Sequence, residues 1–86
     1  MTQSEQAVKE ILRLILAVIS SDLGVAPKLI ASSEDLGKMA SSSKPDIPAM
    51  KGWRFEVFGK KATEFKEGKL NLAFDKTKKR IIFEKR

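Results

Sequence analysis

Apolar residues recur at three- and four-residue intervals before Gly68 and at alternating positions after it. The first spacing is typical of a helix with one buried face, and the second of a β-strand. We therefore expect an α+β fold that is mostly α: a small bundle of three main helices and one short helical turn, with a C-terminal hairpin packed on it. The core helix is predicted over about residues 4–23, with a buried stripe of Val8, Ile11, Leu12, Ile15, Val18, Ile19 and Leu23.

The alternation after Gly68 predicts a β-hairpin over about residues 69–84, with a polar turn at residues 75–79. A lone hairpin is marginally stable in water, so its apolar face must pack on the helices. That face is predicted to contain Leu70, Leu72, Phe74, Ile81 and Phe83.

Capping residues mark the ends of the predicted helices. Pairs of Thr2 with Glu5 and of Ser32 with Asp35 have capping-box spacing, and Gly24 supplies a left-handed helix stop. They predict a short helical turn at 27–31, opened by Pro27, and a helix over about 34–40. A loop follows, because two prolines interrupt residues 41–48, and the third main helix is expected over about 49–67. The 86 residues then form one domain.

The third helix carries a buried aromatic stripe and also Trp53, the only tryptophan. Phe55, Phe58, Ala62 and Phe65 share one face by their spacing. Trp53 and Val57 fall on the opposite side of a straight helix, so either that side is also covered or the helical phase resets at Gly59. We interpret Trp53 as a packing residue that would stack on a base only if it were exposed.

Residue types that are absent exclude several kinds of chemistry. The chain contains no cysteine and no histidine, which excludes disulfides, thiolate or imidazole zinc ligands, and Ser-His or Cys-His nucleophiles. Three of its glutamates (Glu5, Glu34 and Glu56) stand four residues before a lysine, the spacing of ordinary surface pairs. We expect no catalytic residues, no metal or other cofactor and no small-molecule substrate. The apolar run from Leu14 to Ile19 is too short to span a membrane, so a soluble, cytoplasmic protein is expected.

Positive charge is concentrated in the C-terminal half. Residues 1–43 carry four Lys/Arg and five Asp/Glu, whereas residues 44–86 carry thirteen and six, which gives net charges of −1 and +7. A basic face suits an anionic partner such as a nucleic acid. For the hairpin lysines, protection of a strand edge against intermolecular pairing is an equal alternative. The predicted phosphate contacts are Lys51, Arg54, Lys60, Lys61, Lys66 and Lys69 along the third helix, and Lys76, Lys78, Lys79 and Arg80 on the hairpin.

Two segments carry a family resemblance. Residues 24–36 resemble the HRDC pattern of a Gly-Val-x-Pro turn, a short apolar segment, a Ser/Asp cap and a Leu-containing helix. Residues 48–62, followed by Lys66-x-Gly68 and a terminal hairpin, resemble the extreme C-terminal region of bacterial ribonuclease D. The resemblance runs from about Val8 to Phe83. It implies an HRDC-like domain that helps a 3′-5′ exoribonuclease to hold structured RNA such as tRNA precursors, without the nuclease domain itself.

Two functions follow from these observations. The first is an auxiliary RNA-binding module that uses shape and charge, since no RNP aromatic pair, Gly-x-x-Gly clamp or zinc-finger spacing is present. The second is a protein-interaction or structural domain that docks on a nuclease domain or another partner. The second requires an exposed apolar patch, for which Trp53, Val57 and Leu14 are the candidates.

Overall fold

The computed structural model describes residues 2–86, which form three helices and one two-stranded antiparallel sheet. Helix α1 is Gln3–Leu23 and helix α2 is Ser33–Ser41, with a 3₁₀ turn at Pro27–Leu29 between them. A second 3₁₀ turn at Pro48–Met50 precedes helix α3, residues 52–66. Strands β1, Leu70–Asp75, and β2, Arg80–Lys85, complete the chain. The predicted α+β, mostly α architecture is confirmed.

Helix α1 forms the centre of the core and begins at the predicted capping box. The Thr2 hydroxyl accepts from the Glu5 N–H at 3.0 Å, while the Glu5 carboxylate accepts from the Thr2 N–H at 2.9 Å. Gly24 ends the helix with φ of 70°. The predicted stripe is buried at its centre, but Leu23 is 48% exposed because it lies in the last turn, at the rim of a hollow rather than beneath α2. The fully buried α1 side chains in the apolar core are those of Leu12, Ile15, Leu16 and Ile19.

Helix α2 packs on α1 and is held at both ends by side chains. The Ser32 hydroxyl accepts from the Asp35 N–H and the Asp35 carboxylate accepts from the Ser32 N–H, both at 3.1 Å. At the other end, the Lys66 ammonium donates to the carbonyls of Met39 and Ser42. A lysine from α3 therefore satisfies carbonyls that a helix C-terminus leaves without an intrahelical partner.

Helix α3 does not run continuously from residue 49 as predicted. Lys51 is extended, with φ of −131° and ψ of 144°, and Gly52 has φ of 60°, so the helix begins at Gly52. Residues Phe55–Gly59 then form a π-helical turn in which the Lys60 N–H donates to the Phe55 carbonyl, five residues earlier. The extra residue in this turn shifts the helical phase. Of the two sequence alternatives, the phase reset is the one observed.

The phase shift decides which side chains of α3 reach the core. Phe58 and Ala62 are fully buried, and Val57 and Phe65 pack against the core from its edge. Trp53 lies before the π turn and is 48% exposed. Trp53 is therefore not the buried packing residue that we predicted, since nearly half of it is open to solvent.

The hairpin packs on the helices, and its side chains differ in how deeply they are buried. In the register, Leu72 is opposite Phe83 and Phe74 is opposite Ile81. Leu70 is buried and Leu72 is partly buried, whereas Phe74 is 62% exposed. The predicted apolar face is thus correct for Leu70, Leu72, Ile81 and Phe83, which are buried or partly buried, and wrong for Phe74. Between Thr2 and Arg86, no helix has both the length and the apolarity needed to cross a membrane.

Candidate nucleic-acid interface

The hairpin segment carries most of the net positive charge of the chain. Residues 69–86 contain seven Lys/Arg and two Asp/Glu, a net charge of +5 out of +6 for the whole sequence. Lys76, Lys78 and Lys79 lie in its turn, are exposed, and form no ion pair with any carboxylate among residues 2–86. We call these three residues the turn lysines.

The hairpin turn is fixed by its own first residue. One oxygen of the Asp75 carboxylate accepts from the backbone N–H groups of Thr77 and Lys78, at 3.0 and 3.1 Å. Lys79 adopts a left-handed conformation with φ of 55°. The Asp75 carboxylate is therefore hydrogen-bonded to the backbone of the turn, and these bonds define the conformation of the loop that carries the turn lysines.

Three other cations of residues 69–86 differ from the turn lysines because they have acidic partners. The Arg80 guanidinium lies 3.4 Å from both carboxylate oxygens of Asp22, near the end of α1. Lys85 pairs with Glu64 at 3.8 Å and Lys69 pairs with Glu67 at 3.4 Å. The pairs of Arg80 and Lys85 attach the hairpin to α1 and α3, whereas the charge of the turn lysines is not compensated by any such pair.

Helix α3 contributes one cation beside the hairpin and a second that is exposed. The Lys61 ammonium lies 5.5 Å from the centroid of the Phe83 ring on β2. Lys60 is exposed and, within the described part of the chain, has no ion-pair partner. The contact between Lys61 and Phe83 places one α3 cation beside the hairpin.

Lys66 is predicted as a phosphate contact, but its ammonium faces the end of α2. Its hydrogen bonds to the Met39 and Ser42 carbonyls occupy the donor group, and burial lowers the pKa of Lys66 below its usual range. This geometry gives Lys66 a structural role and removes it from the exposed basic surface.

A second group of predicted cations surrounds Trp53 at the start of α3. The Arg54 Nε donates to the Leu29 carbonyl at 2.9 Å, and its guanidinium carbon lies 4.7 Å from the centroid of the Trp53 ring. The Lys51 ammonium pairs with Asp46 at 3.0 Å, and this hydrogen bond lowers the pKa of the Asp46 carboxyl. We call Lys51, Trp53 and Arg54 the Trp53 surface.

Two sets of predicted cations are adjacent in the structure. The turn lysines and Arg80 lie at the turn end of the hairpin, and Lys51 and Arg54 lie on the Trp53 surface. Lys61 lies beside Phe83, and no contact joins Lys60 or Lys69 to either set among residues 2–86. Sequence reasoning missed the Arg54 contact with Leu29, because 25 residues separate the partners and no local pattern links them. It also omitted Lys85 and Arg86, which the alternation of the last strand would have placed on the same hairpin.

The acidic and the apolar side chains bear on the alternatives to nucleic-acid binding. From Thr2 to Arg86, no three carboxylates converge as a metal ion would require. Leu14 is 38% exposed and Trp53 is 48% exposed, but Val57 is partly covered by the core. Other exposed large apolar side chains are Leu23, Leu29 and Phe74.

Comparison with known proteins identifies related sequences but no related structure. No protein-family model and no solved structure matches the chain. Ribonuclease D of Granulibacter bethesdensis is 43% identical over 76 residues, which is 88% of this chain and 19% of that protein. Ribonuclease D of Bartonella henselae is 41% identical over 73 residues, or 84% of this chain and 18% of that protein. Ribonuclease D of Gluconacetobacter diazotrophicus is 43% identical over 76 residues.

The chain therefore spans about a fifth of the length of the curated relatives that it matches. The resemblance to ribonuclease D is confirmed over most of the sequence. What matches is a small part of that enzyme and not its catalytic portion.

Proposed function

We propose that this chain, as a relative of one part of ribonuclease D, is an HRDC-like accessory module that holds RNA by its phosphates. The observation that carries the proposal is the net charge of +5 on the hairpin, with three turn lysines that have no acidic partner among residues 2–86. The catalytic step of the relatives would lie in a different part of the protein. The module would supply affinity for the RNA and would position the RNA for that catalytic part.

Lysines in this arrangement are suited to backbone recognition rather than to reading bases. An ammonium group on a flexible stem acts as a point charge toward phosphate oxygens. Binding of this kind releases counterions, so the affinity falls steeply as salt increases. A structured RNA with closely spaced phosphates, such as a tRNA precursor, fits this mode because it presents many phosphates to a small rigid hairpin.

The test compares two triple variants with the same change in net charge. Lys76→Gln, Lys78→Gln and Lys79→Gln together remove the turn lysines. Lys28→Gln, Lys38→Gln and Lys44→Gln remove three exposed lysines from outside the hairpin. Affinity for labelled tRNA is measured by fluorescence anisotropy between about 50 and 200 mM salt.

The turn variant is expected to lose affinity and to reduce the slope of log K against log salt by about 2–3. The control variant should change both quantities much less. Absence of tRNA binding at low salt, or equal losses in the two variants, would contradict the proposal.

A second candidate function is docking on a protein, such as a nuclease domain. The observation in its favour is a hollow in which Leu23, 48% exposed, lies beside Val57 and Phe83. Calorimetric titration with the catalytic part of ribonuclease D would test it. Leu23→Ser should then abolish binding to the catalytic part while leaving the affinity for tRNA unchanged. If the parent chain gives no heat of binding in this titration, the docking function is wrong.

A further inference from the structure

The indole ring of Trp53 is held in place by a neighbour that is itself anchored. Arg54 lies against the ring at 4.7 Å, and its Nε is bound to the Leu29 carbonyl at 2.9 Å. The tertiary contact therefore fixes the guanidinium, and the guanidinium supports one side of the ring. Nearly half of Trp53, 48%, remains exposed to solvent.

Beside the ring lies an open hollow. It is lined by Asp46, Ile47, Pro48, Lys51 and Gly52 together with the Trp53 and Arg54 side chains. The φ of 60° at Gly52 lets the chain turn sharply into α3, and no atom lies within 4 Å of the position that a Cβ would occupy there. The hollow therefore places open space beside the Trp53 ring and the charged groups of Asp46, Lys51 and Arg54.

The charges around the hollow favour an anionic chain with flat groups. Lys51 and Asp46 are paired at 3.0 Å with both side chains mostly exposed, so each can exchange its partner for a ligand. Arg54 uses Nε for Leu29, and its two terminal nitrogens donate to no other protein acceptor among residues 2–86. They remain able to bind a phosphate in a forked geometry.

We propose that Trp53 stacks on an unpaired base of an RNA strand, while Arg54 and Lys51 contact the phosphates that flank that base. The proposal rests on the proposed RNA-binding function and adds a second contact, distinct from the turn lysines. An unpaired base is required because bases inside a duplex already stack on both faces. Stacking on an aromatic ring does not require a particular base, so this contact selects single strands rather than sequences.

The protein contains its own probe for this contact. Trp53 is the only tryptophan and the chain has no tyrosine, so its intrinsic fluorescence reports on a single ring. The full chain is titrated with single-stranded oligoadenylate of about ten nucleotides, and in parallel with inorganic polyphosphate, which has charge but no bases. Oligoadenylate is expected to quench the fluorescence, and polyphosphate is expected to leave it nearly unchanged.

Variants then separate stacking from charge. Trp53→Ala should weaken binding of labelled oligoadenylate by at least about fivefold, and Trp53→Phe, which keeps a ring, should retain most of the affinity. Both should bind a blunt RNA duplex as the parent does. Leu14→Ala, which removes another exposed apolar side chain, is the matched control and should change neither affinity.

Failure of this contact is distinguishable from failure of RNA binding as a whole. Equal quenching by polyphosphate and oligoadenylate, or an unchanged affinity in Trp53→Ala while tRNA still binds, would overturn the stacking proposal alone. If neither tRNA nor oligoadenylate binds at low salt, the proposed function itself is wrong. Circular dichroism of each variant confirms that the comparison is between folded proteins.

Discussion

Gly59 packs its Cα against the backbone carbonyl of Ala49, so closely that a Cβ atom at Gly59 would overlap the carbonyl oxygen. Ala49 is fully buried in the 3₁₀ turn before α3, and Gly59 is the last residue of the π turn. The close approach fixes the position of the turn against the helix. It also explains why this helix position requires glycine although its backbone angles are ordinary.

Gly59→Ala is expected to destabilise the protein by about 1–3 kcal/mol, because a methyl group must displace a buried backbone segment. In an unhindered helix the same change would be stabilising by up to about 1 kcal/mol, so the sign of the effect is diagnostic. Urea unfolding measures the change. Lys60→Ala, at the next and exposed position, is the control, and a Gly59→Ala variant as stable as this control would contradict the packing described.

Lys66→Met is expected to lower the free energy of unfolding by about 1–3 kcal/mol, since the Met39 and Ser42 carbonyls lose a charged donor while the apolar stem is kept. Thermal unfolding followed by circular dichroism measures this loss. The affinity of Lys66→Met for tRNA should remain close to that of the parent chain. A stable variant with weakened tRNA binding would instead make Lys66 a phosphate contact.

Acid should weaken the N-terminal cap of α1. The hydrogen bond from the Thr2 backbone N–H lowers the pKa of Glu5 below its ordinary value of 4.5. The stabilisation by the charged carboxylate is therefore complete above that ordinary pKa and is lost as the pH falls through the lowered value.

Glu5→Gln removes this dependence because its amide does not titrate. We expect the difference in unfolding midpoint between the parent and Glu5→Gln to shrink as the pH falls from about 6 to about 2. The unfolding midpoint of Glu10→Gln over the same pH range provides the comparison, because Glu10 lies on the same helix but outside the cap. A difference for Glu5→Gln that stays constant with pH would show that the cap does not depend on charge.

Asp22→Asn is expected to raise the affinity for tRNA by about two- to threefold, because it removes a negative charge that holds the Arg80 guanidinium. The cost to stability should be below about 1 kcal/mol, since both partners are half exposed. Anisotropy titration at low salt measures the affinity. Asp46→Asn is a useful second variant, because it frees Lys51 in the same way on the Trp53 surface. Weaker tRNA binding by Asp22→Asn would indicate that the ion pair orients the hairpin rather than competing with RNA.

Much of the fold was predictable because its signals are local. Capping boxes join residues three apart, Gly24 marks a left-handed stop, and the change of spacing at Gly68 separates helix from strand. These features depend on backbone hydrogen bonds and side-chain direction within one or two turns, so the sequence by itself determines them. The resemblance to ribonuclease D was likewise contained in short segments.

The candidate site was only partly predictable, because it depends on partners that are distant in sequence. Lys66 and Arg54 look like free cations in the sequence, yet each binds a backbone carbonyl at least 24 residues away. The exposure of Trp53 likewise depends on how distant parts of the chain pack, which the periodicity of the helix does not indicate.

The sequence thus determined where α1 and α2 begin and end, where the hairpin lies and how much charge it carries. Only the tertiary structure decided which cations remain exposed and which side of α3 faces solvent. The physical reason is that packing, unlike capping and periodicity, is settled by the whole core at once.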